Sequence, residues 1–383
     1  SGGYVQVDYD FELGSSILAG AANLATGFGN YRLAVNLVDE EGFVDNQLVG
    51  GDDPAREQYS ARLGGSWELG DRGAIYASYS YDDREVTGMS FEVAADPLGW
   101  YTGITGDTDV SLNNKRRTWT SYGSNGRDFD DQESHRALLE LSYDIGDAMQ
   151  FVSLSGYNEY DNTRYYDADF SAATWLEQYK ESSFKQFSQE FRISSTAFND
   201  RLDYVAGVFY LDNNFENYSE TGFLTNLDYI PTPEEGIYAA TGPALGVGEY
   251  EQDVESWSVF GNGAIQLADR WRLTLGIRYT DESRELLWQA TYLEDETYLY
   301  LGNPATGPAV QLPVTFLPLA SPAFPATKLD RDEDNVDGSI NLQYDFSDAG
   351  NLYASWARGS KSGGFTTANV APENSEFDTE VAE

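Results

Sequence analysis

The densest cationic stretch of the chain is Asn114-Lys115-Arg116-Arg117-Thr118-Trp119, followed by Tyr122 and Arg127. Cationic and aromatic side chains together suit an anionic, partly aromatic small ligand, which makes Arg116, Arg117, Trp119 and Tyr122 candidate contacts. The same run could instead offset its acidic neighbours Asp107, Asp109, Asp128 and Asp130. Tyr165, Tyr166 and Trp175 form a second, weaker aromatic group of the same kind. Catalysis finds little to work with. There is no cysteine to act as nucleophile or metal ligand. The single histidine, His135, starts an alternating segment and leaves Ser–His–Asp chemistry and His-based metal sites without their parts. Carboxylate pairs occur throughout so acidic a chain, so finding two together discriminates nothing. Asp330, Asp332 and Asp334 begin like a calcium loop, but Asn335 stands where glycine is needed and Asn341 where the closing glutamate belongs. Gly363-Gly364 lacks the Lys-Ser/Thr of a phosphate loop. We therefore expect no enzyme, no cofactor and no resident metal.

The elements that must carry these residues show a period of two, which puts alternate side chains on opposite faces of a strand. Trp271, Leu273, Leu275, Ile277 and Tyr279 oppose Arg272, Thr274, Gly276, Arg278 and Thr280. Ile340, Leu342, Tyr344 and Phe346 oppose Asn341, Gln343 and Asp345. Similar segments recur from 4–11 to 350–358, about thirteen in all and each around ten residues, the length a tilted strand needs to cross a bilayer. The pattern predicts an all-β fold, a transmembrane antiparallel β-barrel with long extracellular loops. Five tight turns share a form, as in Leu69-Gly70-Asp71-Arg72 and Leu267-Ala268-Asp269-Arg270. Between them lie long stretches at 84–134, 161–183, 214–253 and 285–334, the asymmetry of an outer-membrane barrel. All twelve prolines fall in the proposed loops or the tail. Trp67 and Trp271 flank tight turns while Tyr81 and Tyr279 lie toward the long loops, as two interfacial girdles would.

Charge excludes further classes. With 23 Lys and Arg against 64 Asp and Glu, the net charge of −41 leaves nothing to neutralise a row of phosphates, so no nucleic acid is expected as partner. An aromatic content of 14% separates the chain from acidic disordered sequences. No run of apolar residues is long enough for a membrane helix, an absence that does not count against a barrel. The acids cluster outside the expected strands, and such a surface disfavours strongly anionic cargo at long range, though salt screens it.

Several stretches, in this order and spacing, resemble the barrel of TonB-dependent outer-membrane receptors over essentially the whole chain. They are Gly3-Tyr4-Val5-Gln6-Val7, Tyr31-Arg32-Leu33-Ala34-Val35-Asn36, Ser188-Gln189-Glu190-Phe191-Arg192-Ile193, Leu273-Thr274-Leu275-Gly276-Ile277-Arg278-Tyr279 and Tyr353-Ala354-Ser355-Trp356-Ala357-Arg358 running into Gly363-Gly364-Phe365. The resemblance implies a barrel of 22 strands, of which residues 1–383 are a part. It also implies a plug domain outside this chain that engages a TonB complex, and a bacterial outer-membrane location. Cargo in such receptors is most often a ferric siderophore, with cobalamin, haem or oligosaccharides as variants. The late strand and loop of that resemblance add Arg358, Lys361 and Phe365 to the candidate ligand contacts. A passive porin, or a structural component of an outer-membrane surface assembly, would use the same strands.

Overall fold

The alternation becomes a single ladder in the computed structural model, which describes residues 1–99, 101–102, 107–120, 124–172, 176–223, 237–239, 244–292, 298–301, 310–313, 323–367 and 371–383. Fourteen strands follow one another across one antiparallel sheet in chain order. They are β1 (Gly2–Asp10), β2 (Ser15–Ala25), β3 (Asn30–Glu40), β4 (Ala55–Leu69), β5 (Gly73–Thr87), β6 (Phe129–Ile145) and β7 (Met149–Asp167). The second half comprises β8 (Leu176–Ala197), β9 (Leu202–Phe223), β10 (Ala244–Ala268), β11 (Trp271–Tyr292), β12 (Phe324–Ser347), β13 (Gly350–Lys361) and the short β14 (Glu380–Ala382). The first thirteen are the expected ones. β14 is the addition, pairing Gly359 with Ala382 and Lys361 with Glu380. The sheet is open, with β1 and β14 at its edges.

Strand length departs from the ten-residue expectation, rising from 9 residues in β1 to 25 in β10. The ladder of backbone hydrogen bonds continues where hydrophobic contrast has already faded, because both faces are polar beyond the bilayer. The stretches 161–183 and 214–253 are therefore mostly strand: Thr163 pairs with Glu181, and Glu216 with Glu251. The connections at the long-loop end shrink to 88–128, 168–175, 224–243 and 293–323. Two prolines lie in strands: Pro313 ends a short strand within the 293–323 connection, opposite Tyr298. Pro325 lies inside β12, next to its first residue, where the register against β11 shifts between Trp288 and Ala290. A ladder interrupted there has no use for the missing N–H.

The register lines up one face across the strands. Phe191 lies opposite Val208, Val208 opposite Val259, Gly261 opposite Ile277 and Leu275 opposite Ile340. These side chains are uncovered, with Leu275 46% and Ile277 62% exposed, so a contiguous apolar wall meets whatever surrounds the sheet. So large an apolar patch requires an apolar neighbour, and in a barrel that neighbour is lipid. Aromatic rows bound the wall. At the short-turn end Trp67 donates to the Tyr31 hydroxyl at 3.1 Å, and Trp271 packs on Tyr344 at 4.6 Å. Toward the long loops stand Tyr81, Tyr157, Tyr210, Trp257 and Tyr279, with His135 among them, its ring 5.2 Å from that of Tyr81. From Trp271 to Tyr279 is roughly 26 Å along the strand, or about 20 Å once tilted, near the height of a lipid-facing band. Among the described residues no helix is long and apolar enough to cross a membrane.

Beyond the upper girdle the same outward face turns acidic. Asp281 lies opposite Asp334, and Glu285 lies between Asp253 and Asp330. Asp330, Asp332 and Asp334 lie in β12 and point outward, spaced along a ladder rather than wrapped about a point.

These faces separate two substitutions one residue apart. Leu275→Arg should destabilise the folded barrel by about 2–4 kcal/mol, whereas Thr274→Lys on the opposite face should cost much less. Denaturant unfolding in lipid vesicles measures both, and equal losses would remove the lipid face.

Candidate functional site

The inner face of the sheet, opposite the apolar wall, carries cations among carboxylates such as Asp130, Glu282 and Glu333. On β7 and β8, above the girdle, Arg164 lies directly opposite Lys180. Like charges so placed destabilise a ladder. Among the described residues neither joins an ion pair. Asp130, opposite Arg164 on β6, is engaged elsewhere, by Arg84 at 3.3 Å and Asn162 at 2.7 Å. Among the described residues Arg164 Nε is buried without a hydrogen-bond partner, and its Nη2 reaches the Met89 sulfur at 3.8 Å. Both cations lie over the Tyr166 ring, at 4.4 Å for Arg164 and 6.0 Å for Lys180. The Tyr166 hydroxyl donates to Gln178. Burial, and then the Arg164 charge, lower the Lys180 pKa, since both disfavour the charged amine. An oxyanion placed between them would relieve that repulsion and gain charge-assisted hydrogen bonds.

The basic run near 116 serves a different end. A small three-stranded sheet of Val44–Asn46, Asp52–Asp53 and Lys115–Arg116 ties the 41–54 loop to the 88–128 loop. It draws Arg116 inside, where the guanidinium meets Asp128 at 2.7 Å and Asp53 at 3.1 Å and donates to the Met89 carbonyl. Asn46 completes the cluster, donating to Asp53 at 3.0 Å and to the Thr118 carbonyl at 3.1 Å. Burial raises the Asp53 pKa against the pull of Arg116. A Cβ at Gly88, whose φ is +83°, would overlap the Asp53 carboxylate, so glycine there admits the ion pair. Asp167 is buried at the edge of this loop core, where burial and then the neighbouring Asp169 and Asp128 push its pKa well up.

The remaining expected contacts scatter. Arg117 is exposed on the loop, and Trp119 is half-buried beside Gly126. Tyr165 points away from Tyr166, is buried, and donates to Glu177 at 2.6 Å. Arg358 lies opposite Gly338, on the outward face, with Glu383 at 3.9 Å. Lys361 is exposed at the end of β13, and Phe365 is half-buried in a short hairpin opposite Glu376. Tyr122 and Trp175 lie outside the described residues. Sequence reasoning missed Arg164 and Lys180. The signal available was an extension of the β7 and β8 alternation upward, which places both beside Tyr166.

Residues 362–367 and 371–379 fold back over the inner face of β11 and β12. Glu333 receives Thr379 at 2.7 Å and the Gly363 N–H at 3.2 Å, while Arg331 holds Glu376 at 2.6 Å. Burial acts to raise the Glu333 pKa, but hydrogen bonds from Thr379, Ser362, Arg331 and Gly363 win and hold it down to about 2. Among the described residues no group of three or more His, Asp or Glu is placed to hold a metal ion.

Comparison with known proteins bears on this arrangement. The family described as TonB dependent receptor-like, beta-barrel, matches residues 81–381. The ferric yersiniabactin uptake receptor FyuA from Yersinia pestis shares the fold at a TM-score of 0.66 and 14% identity, over 99% of this chain and 49% of that one. The siderophore receptor PiuA from Acinetobacter baumannii does so at 0.66 and 14%, over 100% of this chain and 53% of that one. The chain thus spans about half the length of these structures, and at such identity the likeness is one of fold alone. No curated protein matches the sequence.

Two outcomes follow for the loops. Arg116→Met leaves buried Asp128 without its cation and Asp53 with Arg127 alone, at 3.3 Å, and should cost the loop core about 3–5 kcal/mol, seen as protease cleavage within 88–128, while Arg117→Ala changes little. For the 362–379 segment, the Glu333 pKa lies below its ordinary 4.5, so its stabilising contribution is complete above that value and drains as pH falls through about 2. Pepsin cleavage of 362–379 should therefore be low at pH 4.5 and climb as pH nears 2. A flat profile would separate the latch from Glu333.

Proposed function

Because the chain belongs to the TonB dependent receptor-like β-barrel family, we propose that it forms part of an outer-membrane uptake receptor whose cargo is an anionic metal chelate, most simply a ferric siderophore. The observation that carries the reading is a pair of inner-face cations, Arg164 and Lys180, that no carboxylate partners among the described residues. The outer face above the girdle is lined by acids such as Asp253, Glu285 and Asp330, while the inner face presents Arg164 and Lys180 with no carboxylate of their own. A cargo approaching the bulk surface meets a chain of −41, whereas one inside the mouth meets unpaired cations over an aromatic ring. The acidic total therefore does not argue against an anionic cargo, contrary to the expectation from composition. Exposed charges a Debye length away, about 8–10 Å at physiological salt, are screened, and the inner pair acts at contact.

In this reading the long-loop end faces outward, and cargo settles on Arg164, Lys180 and Tyr166 with Arg117 and Phe365 as further contacts. Transport energised by a TonB complex through a plug domain belongs to the whole receptor. Additional strands would pair the edges of β1 and β14, since unpaired backbone groups are costly in lipid. A passive pore is the second reading, favoured by the inward-folded residues 371–379, whose Glu376 and Asp378 oppose Arg331. Steady conductance of the full-length protein in planar bilayers would support the pore, and a closed channel the receptor.

Titration of the full-length protein with ferric citrate, as an anionic chelate probe, tests the cation site. Arg164→Ala with Lys180→Ala should raise the dissociation constant by about tenfold or more if the pair contributes about 1.4 kcal/mol. Glu216→Gln with Glu251→Gln, on the outer face, should leave it unchanged. The opposite pattern would reject an anionic cargo.

A further inference from the structure

Asp167 is the last residue of β7, well beyond the interfacial Tyr157 and clear of the lipid band. It is 1% exposed, and its carboxylate is only half used. Oδ1 accepts the Asp169 N–H at 2.9 Å and the Phe170 N–H at 3.0 Å, whereas Oδ2 is buried with no hydrogen-bond partner. Its charged surroundings are acidic on every side. Asp169 follows in its own turn, and Asp128 faces it from the 88–128 loop, taking the Asp167 N–H at 2.9 Å. Glu177 lies opposite on β8. The cations of this core are engaged elsewhere, Arg116 by Asp128 and Asp53 and Arg127 by Asp53. Among the described residues none pairs with Asp167.

This carboxyl sits in the joint between two loops. From the 88–128 loop, the Tyr101 hydroxyl donates to the Phe170 carbonyl at 2.8 Å, and the Phe91 ring packs 5.3 Å from that of Phe170. Phe170 has a φ of +58°, a conformation that bulky residues rarely adopt, and its N–H is fixed by Asp167 Oδ1. Met89 of the same loop lies against Arg164, so docking of the loop and access to that cation change together.

A carboxylate buried without a counter-charge costs far more than a neutral acid that lacks one acceptor. A proton on Oδ2 removes the charge, ends the repulsion from Asp169 and Asp128, and leaves both N–H bonds on Oδ1 in place. A metal ion would also neutralise it, but among the described residues no three acids are placed to hold one. We propose that Asp167 is a proton-operated catch: with the proton on Oδ2, residues of the 88–128 loop dock on the turn that follows β7, and loss of the proton to water drives them apart. The cargo plays no part in this, so the catch stands or falls separately from the uptake reading.

The sign of the pH dependence follows from the environment. Burial, then Asp169 and Asp128, push the Asp167 pKa well above its ordinary 3.8. Docking is therefore complete below 3.8 and weakens as pH rises toward the value in the docked form, by up to about tenfold per pH unit for one proton. Asp53, also raised by burial, acts in the same direction, so the wild type must be compared with a variant that loses Asp167 alone.

The chain has no cysteine, so spin labels can be attached at Ala95, exposed in the loop, and at Asp212, exposed on β9, of the full-length protein in vesicles. The distance between them, read by pulsed electron resonance from about pH 4 to about pH 8, should show one narrow population in acid and a second, broad one that grows with pH. Asp167→Asn, which keeps Oδ1 and carries no charge, should hold the narrow population throughout. Phe91→Ala removes a ring contact but no charge. It should favour the broad population at every pH and keep its growth with pH, which establishes that the distance reads docking. A wild-type distance that ignores pH would overturn the catch, as would a pH response that survives Asp167→Asn. So would calcium restoring the narrow population of the wild type at the alkaline end, since the site would then take a cation rather than a proton.

Discussion

Every feature of this chain depends on the two-residue repeat of a strand inside a continuous ladder. A bilayer leaves no water to satisfy backbone groups, so the strands must stay paired over the whole crossing, and pairing fixes which side chains point where. Along β11 the consequence can be followed residue by residue. Leu273, Leu275 and Ile277 face lipid, Tyr279 marks the interface, and Asp281 and Glu285 continue the same face into water. The opposite face runs through Arg278 and Arg284 to Leu286 and Trp288, both buried at the long-loop end. One register thus serves three environments, and a one-residue slip would exchange all of them.

The same constraint resolves the apparent conflict between a strongly acidic protein and an anionic cargo. Charge here is not a property of the whole surface but of a face. Acids opposite acids on the outside, as with Glu57 and Glu85, are tolerable because they stand in screened solvent. Cations opposite one another inside are less well screened, and burial first, then the Arg164 charge, lowers the Lys180 pKa there. Arg284 and Arg331 are an instructive contrast. They are also cross-strand neighbours, yet Glu282 and Glu333 neutralise them, and they anchor a loop instead of awaiting a ligand.

Much of the fold was legible in sequence because membrane strands contrast two kinds of residue. Segments such as 271–280 and 335–346 announce both their strand and its lipid face, and the thirteen long strands follow from them. Legibility ended at the girdle. At Thr163-Arg164-Tyr165-Tyr166 neither face is apolar, so the alternation persists in the backbone without a hydropathy signal, and a strand reads as a loop. The candidate site suffered for the same reason, since Tyr166 was visible but its cations were not. Arg116 failed differently. A run of cations looks available until distant residues such as Asp53 and Asn46 are brought to it, and no local pattern records that meeting.

The account rests on the facing of β11 and its change of environment at Tyr279. The chain has no cysteine, so single spin labels can be placed at successive positions from 271 to 285 in the full-length protein in vesicles. Collision with oxygen, which concentrates in lipid, should peak at 273, 275 and 277. Collision with a water-soluble nickel chelate should take over at 281, 283 and 285 on that same face. An oxygen profile without a period of two, or one whose maxima fall at 272, 274 and 276, would contradict the placement of both the lipid wall and the inner cations.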